Sequence, residues 1–393
     1  MRELSVYLHI PFCAQKCRYC DFLSYPASEQ ERREYAELLI REIVACAPLY
    51  KNHQVISVFF GGGTPSILDG KTIEKILCKL RESFFFIEKP EITIEVNPGT
   101  VTEEKLRTYY RAGVNRLSIG LQSADERELK VLGRIHDYPC FCWTYELARK
   151  TGFQNINIDL MSAIPGQTED SYRETLEKVL ALQPEHISAY SLILEEGTWF
   201  YEHQDELKFP DEEEDRHLYD MTGSMLEQHG YHRYEISNYA KEGFECLHNK
   251  VYWKRGDYLG LGLGASSMVE EIRWSNKRTM EEYRQIWREP SHKKEMLTPT
   301  KPYMARREEY GEDVQYLTRE EQMEEFMFLG LRLTKGVSQQ AFAQKFGVPI
   351  EKVYGEVLTK MQEQGLVLVE KSIRLTSYGM DISNYVMSQF LLS

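Results

Sequence analysis

Tyr7-Leu8-His9-Ile10-Pro11-Phe12-Cys13-Ala14-Gln15-Lys16-Cys17-Arg18-Tyr19-Cys20-Asp21-Phe22 is the stretch from which the rest of the chain can be read. It follows a strand-like run, Leu4–His9, and carries its cysteines as C-x3-C-x2-C on a loop. Three soft thiolates on one short loop can converge on one face of a cubane iron–sulfur cluster. Three ligands for four irons leave one iron open, and an open position can take a substrate or cofactor. The alternative is a Cys3His zinc site completed by His9 or another residue. Zinc ligands usually come as two C-x2–4-C pairs with a long insert, which a single compact triplet fits poorly.

Composition agrees with metal ligation in a reducing compartment. The chain has 393 residues, 42% of them hydrophobic and 28% charged, an ordinary globular balance. A net charge of −13 argues against a broad surface for nucleic acid. Of the 8 cysteines, three crowd into Cys13–Cys20, unlike a disulfide scaffold, which would be much shorter with its cysteines spread along it. The N-terminus lacks the apolar core of a signal peptide, and apolar runs such as Val55–Phe60 fall far short of a membrane span. A cytoplasmic protein with no integral membrane segment is expected.

Downstream of the triplet the first half alternates between strand and helix periodicity. Strands are expected at Val55–Phe60, Glu91–Val96, Arg116–Ile119, Asn155–Leu160 and Ile187–Leu194. Helices are expected at Ser28–Cys46, Lys71–Phe84, Thr102–Arg111, Asp125–Leu132, Pro139–Lys150 and Glu169–Leu182. Six β/α steps imply a parallel sheet with helices outside. Periodicity leaves both a partial barrel and an open doubly wound sheet possible. Beyond residue 195 the rhythm breaks: an acidic helix start at Pro210–Asp215, a strand at Tyr231–Ser237, a glycine-rich turn at Gly260–Gly264, and a polar linker at Trp287–Arg307. From Thr318 a helix, a helix pair, a hairpin and a terminal helix at Ser377–Met387 have the order of a winged helix. The expected division is 1–195, 196–317 and 318–393.

With these elements in place, the triplet and the residues after successive strands resemble the radical S-adenosylmethionine (SAM) superfamily. That resemblance implies an α/β fold with a partial (β/α)6 barrel, here followed by a winged-helix-like α+β domain. It implies a 4Fe–4S cluster on Cys13, Cys17 and Cys20. Gly61-Gly62-Gly63-Thr64-Pro65-Ser66 follows the second strand, and the resemblance assigns Gly62, Gly63 and Thr64 to the SAM amino group. Glu95 ends the third strand, Gln122 the fourth, and Asp159 the fifth. By the same resemblance Glu95 and Asp159 meet ribose hydroxyls, Gln122 is a further SAM contact, Arg134 takes the carboxylate, and Tyr7 and Tyr19 lie near cluster and adenine. Taken singly, the glycines could be a tight turn, the acids helix caps, and Arg134 a surface cation. The implied chemistry is reductive cleavage of SAM to methionine and a 5′-deoxyadenosyl radical. An electron donor such as a flavodoxin or ferredoxin would supply the electron.

Within the superfamily the chain is closest to the group of oxygen-independent coproporphyrinogen III oxidases and HemW-type heme chaperones. His9–Cys13, Gly61–Pro65, Ile158-Asp159-Leu160 and Pro165-Gly166-Gln167-Thr168 are shared marks. The oxidase branch typically has a further cysteine two residues after the third, where this chain has Phe22, and a longer N-terminal arm. The chaperone branch carries His-Asn-x-x-Tyr-Trp, present as His248-Asn249-Lys250-Val251-Tyr252-Trp253. Neutral imidazole is a good axial ligand for heme iron, and the motif implies His248, rather than Tyr252, as the ligand. The plainer reading is a capped turn with a core tryptophan. The resemblance thus implies a chaperone that binds heme or porphyrin and hands heme to an acceptor protein, with porphyrinogen oxidase activity as the alternative. Gly260–Ser267 is expected to close the substrate side of the SAM site, and Cys46, Cys78, Cys140, Cys142 and Cys246 to be ordinary thiols, most of them core.

Overall fold

The computed structural model describes residues 1–288 and 311–392. It begins with β1 (Arg2–Ile10), α1 (Glu29–Cys46), β2 (His53–Gly62), α2 (Gly70–Ser83), β3 (Phe86–Val96), α3 (Glu103–Ala112) and β4 (Arg116–Gln122). Next come α4 (Glu126–Leu132), α5 (Tyr138–Thr151), β5 (Ile156–Ser162), α6 (Glu169–Leu182) and β6 (His186–Ser191). Side-chain caps start the helices: Ser28 with Glu31 on α1, Asp69 on α2, Thr102 on α3. Each cap satisfies backbone N–H groups that the first turn leaves free. Ile73, Ile76, Leu77 and Leu80 of α2 are fully buried, as their spacing requires.

Strands β1 to β6 lie side by side in chain order, each parallel to the next. A doubly wound sheet reverses its order once, at a switch point. This one does not, so right-handed crossovers place the helices on one face. The sheet therefore curls into a partial barrel, with α1, α2, α3 and α5 packed in succession outside it.

The chain continues through α7 (Trp199–Glu202), α8 (Glu212–Gln228), β7 (His232–Arg233), β8 (Asn238–Ala240) and α9 (Leu247–Trp253). It then forms β9 (Tyr258–Leu261), β10 (Ser266–Val269), β11 (Ile272–Asn276), α10 (Met280–Arg288) and β12 (Gly311–Tyr316). These extend the sheet at both edges, β8 antiparallel to β6 and β9 parallel to β1. Four expectations need correction. Tyr231–Ser237 is not one strand: β7 and β8 pair antiparallel across a turn in which Glu235 accepts from Ser237 N–H. Gly260 belongs to β9, where a Cβ would lie 2.2 Å from Ser266 O, so only Gly262–Gly264 form the turn. Trp287 is a buried residue of α10, and the rest of the expected linker falls outside the described residues except for Arg288. Of the five bystander cysteines only Cys246 is buried, while Cys78 is exposed.

The tail has its own apolar core running from Met323 to Phe390. It comprises α11 (Arg319–Gly330), β13 (Val337–Ser338), α12 (Gln339–Phe346), α13 (Ile350–Glu363), β14 (Val367–Val369) and β15 (Ser372–Leu375). The expected terminal helix is broken into α14 (Ser377–Asp381) and α15 (Ser383–Ser388). Asp381, Ser383 and Asn384 crowd the break, and such side chains compete with the helix for backbone hydrogen bonds. The tail is fastened to the barrel by buried Glu325, which pairs with Arg255 and Arg273, each at 2.7 Å.

Glu42 holds the barrel's first edge. It is buried in α1 and accepts from Gly262 N–H at 2.8 Å, Asn276 Nδ2 at 2.6 Å and Tyr283 OH at 2.5 Å. Burial pushes its carboxyl up to about 7, against the opposing pull of those donors. Glu42→Ala would leave the donors facing a void, so a loss on the order of 3–5 kcal/mol is expected. Chemical denaturation of both proteins measures it, and a loss below about 1 kcal/mol would show that the cluster is dispensable.

Candidate functional site

The cysteine loop leaves β1 at the C-terminal edge of the parallel strands, where sites in such folds gather. Cys13 N–H donates to Tyr25 O at 3.1 Å and Tyr25 N–H to Pro11 O at 2.9 Å, closing the loop at its base. Arg18 N–H donates to Leu132 O, Phe200 N–H to Arg18 O, and the Arg18 guanidinium lies 4.4 Å from the Trp199 ring. The loop is therefore pinned on both flanks.

Beneath it lies a cavity of about 450 Å³. Cys13, Cys17, Cys20, Tyr19, Gly62, Gly63, Thr64, Glu95, Gln122, Arg134 and Asp159 all line it. They come from six separate segments of the chain. Of the residues expected at the site, only Tyr7 and His248 lie away from its walls. Tyr7 packs under Gly61, and its hydroxyl meets His9 Nδ1 at 3.1 Å. His9 Nε2 donates to Leu23 O at 2.9 Å, so both ring nitrogens are engaged within the barrel.

The glycines let the cysteine loop and the His9 ring come close to the end of β2. A Cβ on Gly63 would stand 2.7 Å from Phe12 O and 3.0 Å from Cys13 Sγ. One on Gly62, at φ 115°, would strike the His9 ring. Gln122 bends the end of β4 with φ 72°, a left-handed conformation uncommon outside glycine. Asp159 stands in the middle of β5 rather than at its end. Paired with Gly120 across the ladder, it still lines the cavity.

The electrostatics call for a ligand with particular groups. Burial pushes the Glu95 carboxyl up to about 8, and nearby Asp159 adds to the rise against the Gly62 N–H that donates at 3.1 Å. Asp159 is raised too, chiefly by burial. Two carboxylates confined together favour hydroxyl donors or a cation between them. Opposite them, Arg134 donates through Nη2 to Gly120 O and Asn97 Oδ1, each at 2.9 Å, while Nη1 lies 3.6 Å from Cys17 Sγ. Its buried Nε has no partner, a donor that a carboxylate would satisfy. Burial raises the Cys20 thiol, and Cys17 and Cys13 raise it further, as expected of clustered thiols awaiting a cation. Among the described residues no group of three His, Cys, Asp or Glu could hold a single metal ion. A cubane makes a different demand, because each thiolate meets its own iron.

Among the lining residues that the sequence did not single out as ligand contacts, Asn97 and Ser118 tie the others together. Asn97 bridges the site: Nδ2 donates to Thr64 Oγ1 at 2.9 Å and Oδ1 receives Arg134. Ser118 donates to Asp159 Oδ2 at 3.1 Å. The period-two alternation Ser118, Gly120, Gln122 on one face of β4 was the available signal. The Gly260–Ser267 run does not line the cavity. It packs against His9 and Tyr35 instead, because Glu42 and Tyr35 claim its N–H groups.

His248 lies in α9, and its side chain is 1% exposed inside the barrel. The helix starts against Glu91 of β3, whose carboxylate receives Leu247 N–H at 2.8 Å and His248 N–H at 2.9 Å. His248 Nδ1 meets Ser57 Oγ at 2.9 Å and Nε2 meets Tyr252 OH at 3.0 Å, while the ring stacks on Phe59. Burial, then the Arg116 charge, lowers its pKa to about 3, so the imidazole is neutral.

Comparison with known proteins agrees with this geometry. Residues 7–179 match the radical SAM superfamily and residues 317–382 the HemN C-terminal domain. The chain is 36% identical to the heme chaperone HemW of Bacillus subtilis, over 98% of this chain and 99% of that one. It is 35% identical to that of Lactococcus lactis, over 99% and 97%. Among solved structures, coproporphyrinogen III oxidase (HemN) from Escherichia coli superposes with a TM-score of 0.83 at 25% identity, covering 100% of this chain and 90% of that one. The radical SAM match implies a 4Fe–4S cluster and SAM, and the thiol triplet, paired acids and unpartnered Arg134 Nε suit both. The chain belongs to the HemW family within the radical SAM superfamily.

Proposed function

We propose that this chain is a cytoplasmic heme chaperone of the radical SAM type, which binds heme and passes it to an acceptor protein. The observation that carries the reading is the likeness, over essentially the whole chain, to proteins named heme chaperones. Cys13, Cys17 and Cys20 hold the 4Fe–4S cluster. Arg134 receives the SAM carboxylate, the Gly62–Thr64 backbone faces its amino group, and Glu95 and Asp159 face its ribose. Gln122 and Tyr19 complete the cavity wall. When bound, cluster and SAM supply one-electron cleavage of the sulfonium carbon–sulfur bond, for which a flavodoxin or ferredoxin provides the electron. Tyr7 acts from below, as packing under the glycine segment.

His248 would ligate the heme iron in this reading. Its neutral state supports the role, since only neutral imidazole ligates iron. Ligation requires Nε2 to leave Tyr252 OH, so heme capture moves α9 or the Tyr252 side chain. Heme titration of His248→Ala tests this: affinity should drop at least about tenfold, near 1.4 kcal/mol, with a shifted Soret band. Unchanged affinity and spectrum would exclude His248. Anaerobic conversion of coproporphyrinogen III would instead establish the oxidase reading.

A further inference from the structure

A chain of buried side chains runs from the N-terminus of α9 to the cavity acid Asp159. Asp159 Oδ1 receives Asn157 Nδ2 at 2.8 Å, and the same nitrogen donates to Ser118 Oγ at 2.7 Å. A carboxylate accepts only, so Asn157 must present its amide nitrogen to Asp159 and its oxygen to the other side. There Asn157 Oδ1 meets His186 Nδ1 at 2.6 Å, while the single Ser188 hydroxyl proton has Asn238 Oδ1 nearer, at 2.7 Å, than Asn157 Oδ1 at 3.1 Å. The proton of His186 is therefore on Nδ1. Its pKa lies well below the usual value, chiefly through burial, so Nε2 carries a lone pair. That lone pair accepts from Tyr234 OH at 2.8 Å. The Tyr234 oxygen in turn receives Cys246 N–H at 3.3 Å, at the residue that caps α9. Each link thus fixes the direction of the next, and no member has rotational freedom to spare. Asn157 and His186 are 1% and 0% exposed, so water cannot substitute for a lost partner.

We propose that Asn157, His186 and Tyr234 are positioning residues: they hold the Asp159 carboxylate in the one orientation that receives the ribose hydroxyls of SAM. The inference rests on the reading of Asp159 as a ribose contact. Its cost in sequence terms is a buried histidine and asparagine on adjacent strands, neither of which lines the cavity. Their value is directional. Without the Asn157 donor, the Asp159 Oδ1 atom loses its amide partner, and the carboxylate, still held through Oδ2 by Ser118, can turn away from the ligand.

The experiment is equilibrium dialysis on anaerobically reconstituted protein, with SAM and with its 2′-deoxy and 3′-deoxy ribose analogues. Wild type is expected to bind SAM at least about tenfold more tightly than one of the analogues, the worth of one hydrogen bond to a charged group. His186→Leu should bring SAM down to the affinity of that analogue and leave the analogue itself unchanged. General structural damage would weaken both ligands alike, and that result overturns the proposal. His186→Asn returns an amide donor near the place of Nδ1–H and should restore most of the discrimination. Tyr234→Phe removes one hydroxyl without changing volume. It should cost about threefold in SAM affinity alone, a fraction of one hydrogen bond. This variant keeps the test decisive if His186→Leu does not fold. Full discrimination in either His186→Leu or Tyr234→Phe overturns the positioning role. A wild type that does not discriminate at all overturns the ribose reading of Asp159 itself.

Discussion

Cys17→Ala, reconstituted with iron and sulfide under anaerobic conditions, is expected to lose its cluster. Removing a partner that merely orients a metal ligand costs about 10–100-fold in affinity, and removing a thiolate ligand should cost more. At least about a hundredfold weaker cluster retention is therefore expected. His9, the alternative donor considered for a Cys3His site, is no ready replacement, because both its ring nitrogens are engaged with Tyr7 and Leu23. Arg134 loses its sulfur contact at the same time. Cys78→Ala, at an exposed thiol on α2, is the control and should retain the full cluster. Iron and sulfide analysis decides the matter. Wild-type iron in Cys17→Ala would exclude the triplet as the ligand set, and stoichiometric zinc without sulfide in the native protein would replace the cluster by a zinc site.

The parts of this site that were legible in the sequence are those whose chemistry is local. C-x3-C-x2-C, Gly61–Gly63 and Glu95 near the end of its strand each announce themselves within a few residues. So do the helices, through caps such as Ser28 and Thr102 and the face of Ile73, Ile76, Leu77 and Leu80. What could not be read depends on the register between distant strands. Glu91 and the α9 N-terminus meet across more than 150 residues. Asn157 and His186 meet only because β5 and β6 are neighbours with Asn157 opposite His186. Glu42 and Gly262 join α1 to a turn that looks, in sequence, like a ligand loop. The barrel itself needed the strand order, since six β/α steps are equally consistent with a doubly wound sheet.

Helix α9 illustrates why a motif can be recognised before its work is understood. Its first turn is bound to Glu91 inside the barrel, and its last residue, Trp253, lies under the Arg332 guanidinium of the tail at 4.3 Å. The helix spans from lumen to tail in two turns. A ligand that shifts α9 as a body would therefore press on the tail as well. The heme reading and the packing of the tail are in this sense one mechanical problem.

SAM affinity should rise with pH up to about 8 and then level off, and Glu95→Gln should lose that rise. In the protein without ligand, burial and then Asp159 hold the Glu95 carboxyl at about 8, so below that pH it is mostly protonated. Ribose hydroxyls and a sulfonium cation favour the ionised form. Binding below pH 8 must then expel a proton, which costs up to tenfold in affinity per pH unit, or about a hundredfold at pH 6 relative to pH 8. The other groups facing Glu95 are Asp159, whose own rise is chiefly from burial, and Tyr7, which burial and then Glu95 keep protonated. In Glu95→Gln the proton is gone, and with it the charge-assisted hydrogen bond. SAM affinity at pH 8 should fall by about 10–100-fold, corresponding to roughly 1.5–3 kcal/mol for a bond to a charged group. Equilibrium dialysis from pH 6 to 9 at fixed ionic strength measures both effects. Titration of SAM's own amino group acts equally on the two proteins, so it cancels in the ratio of their affinities. A ratio that does not change with pH would mean that Glu95 is already ionised in the empty cavity, and that its neighbourhood is wetter than the packing of β3 against β4 requires.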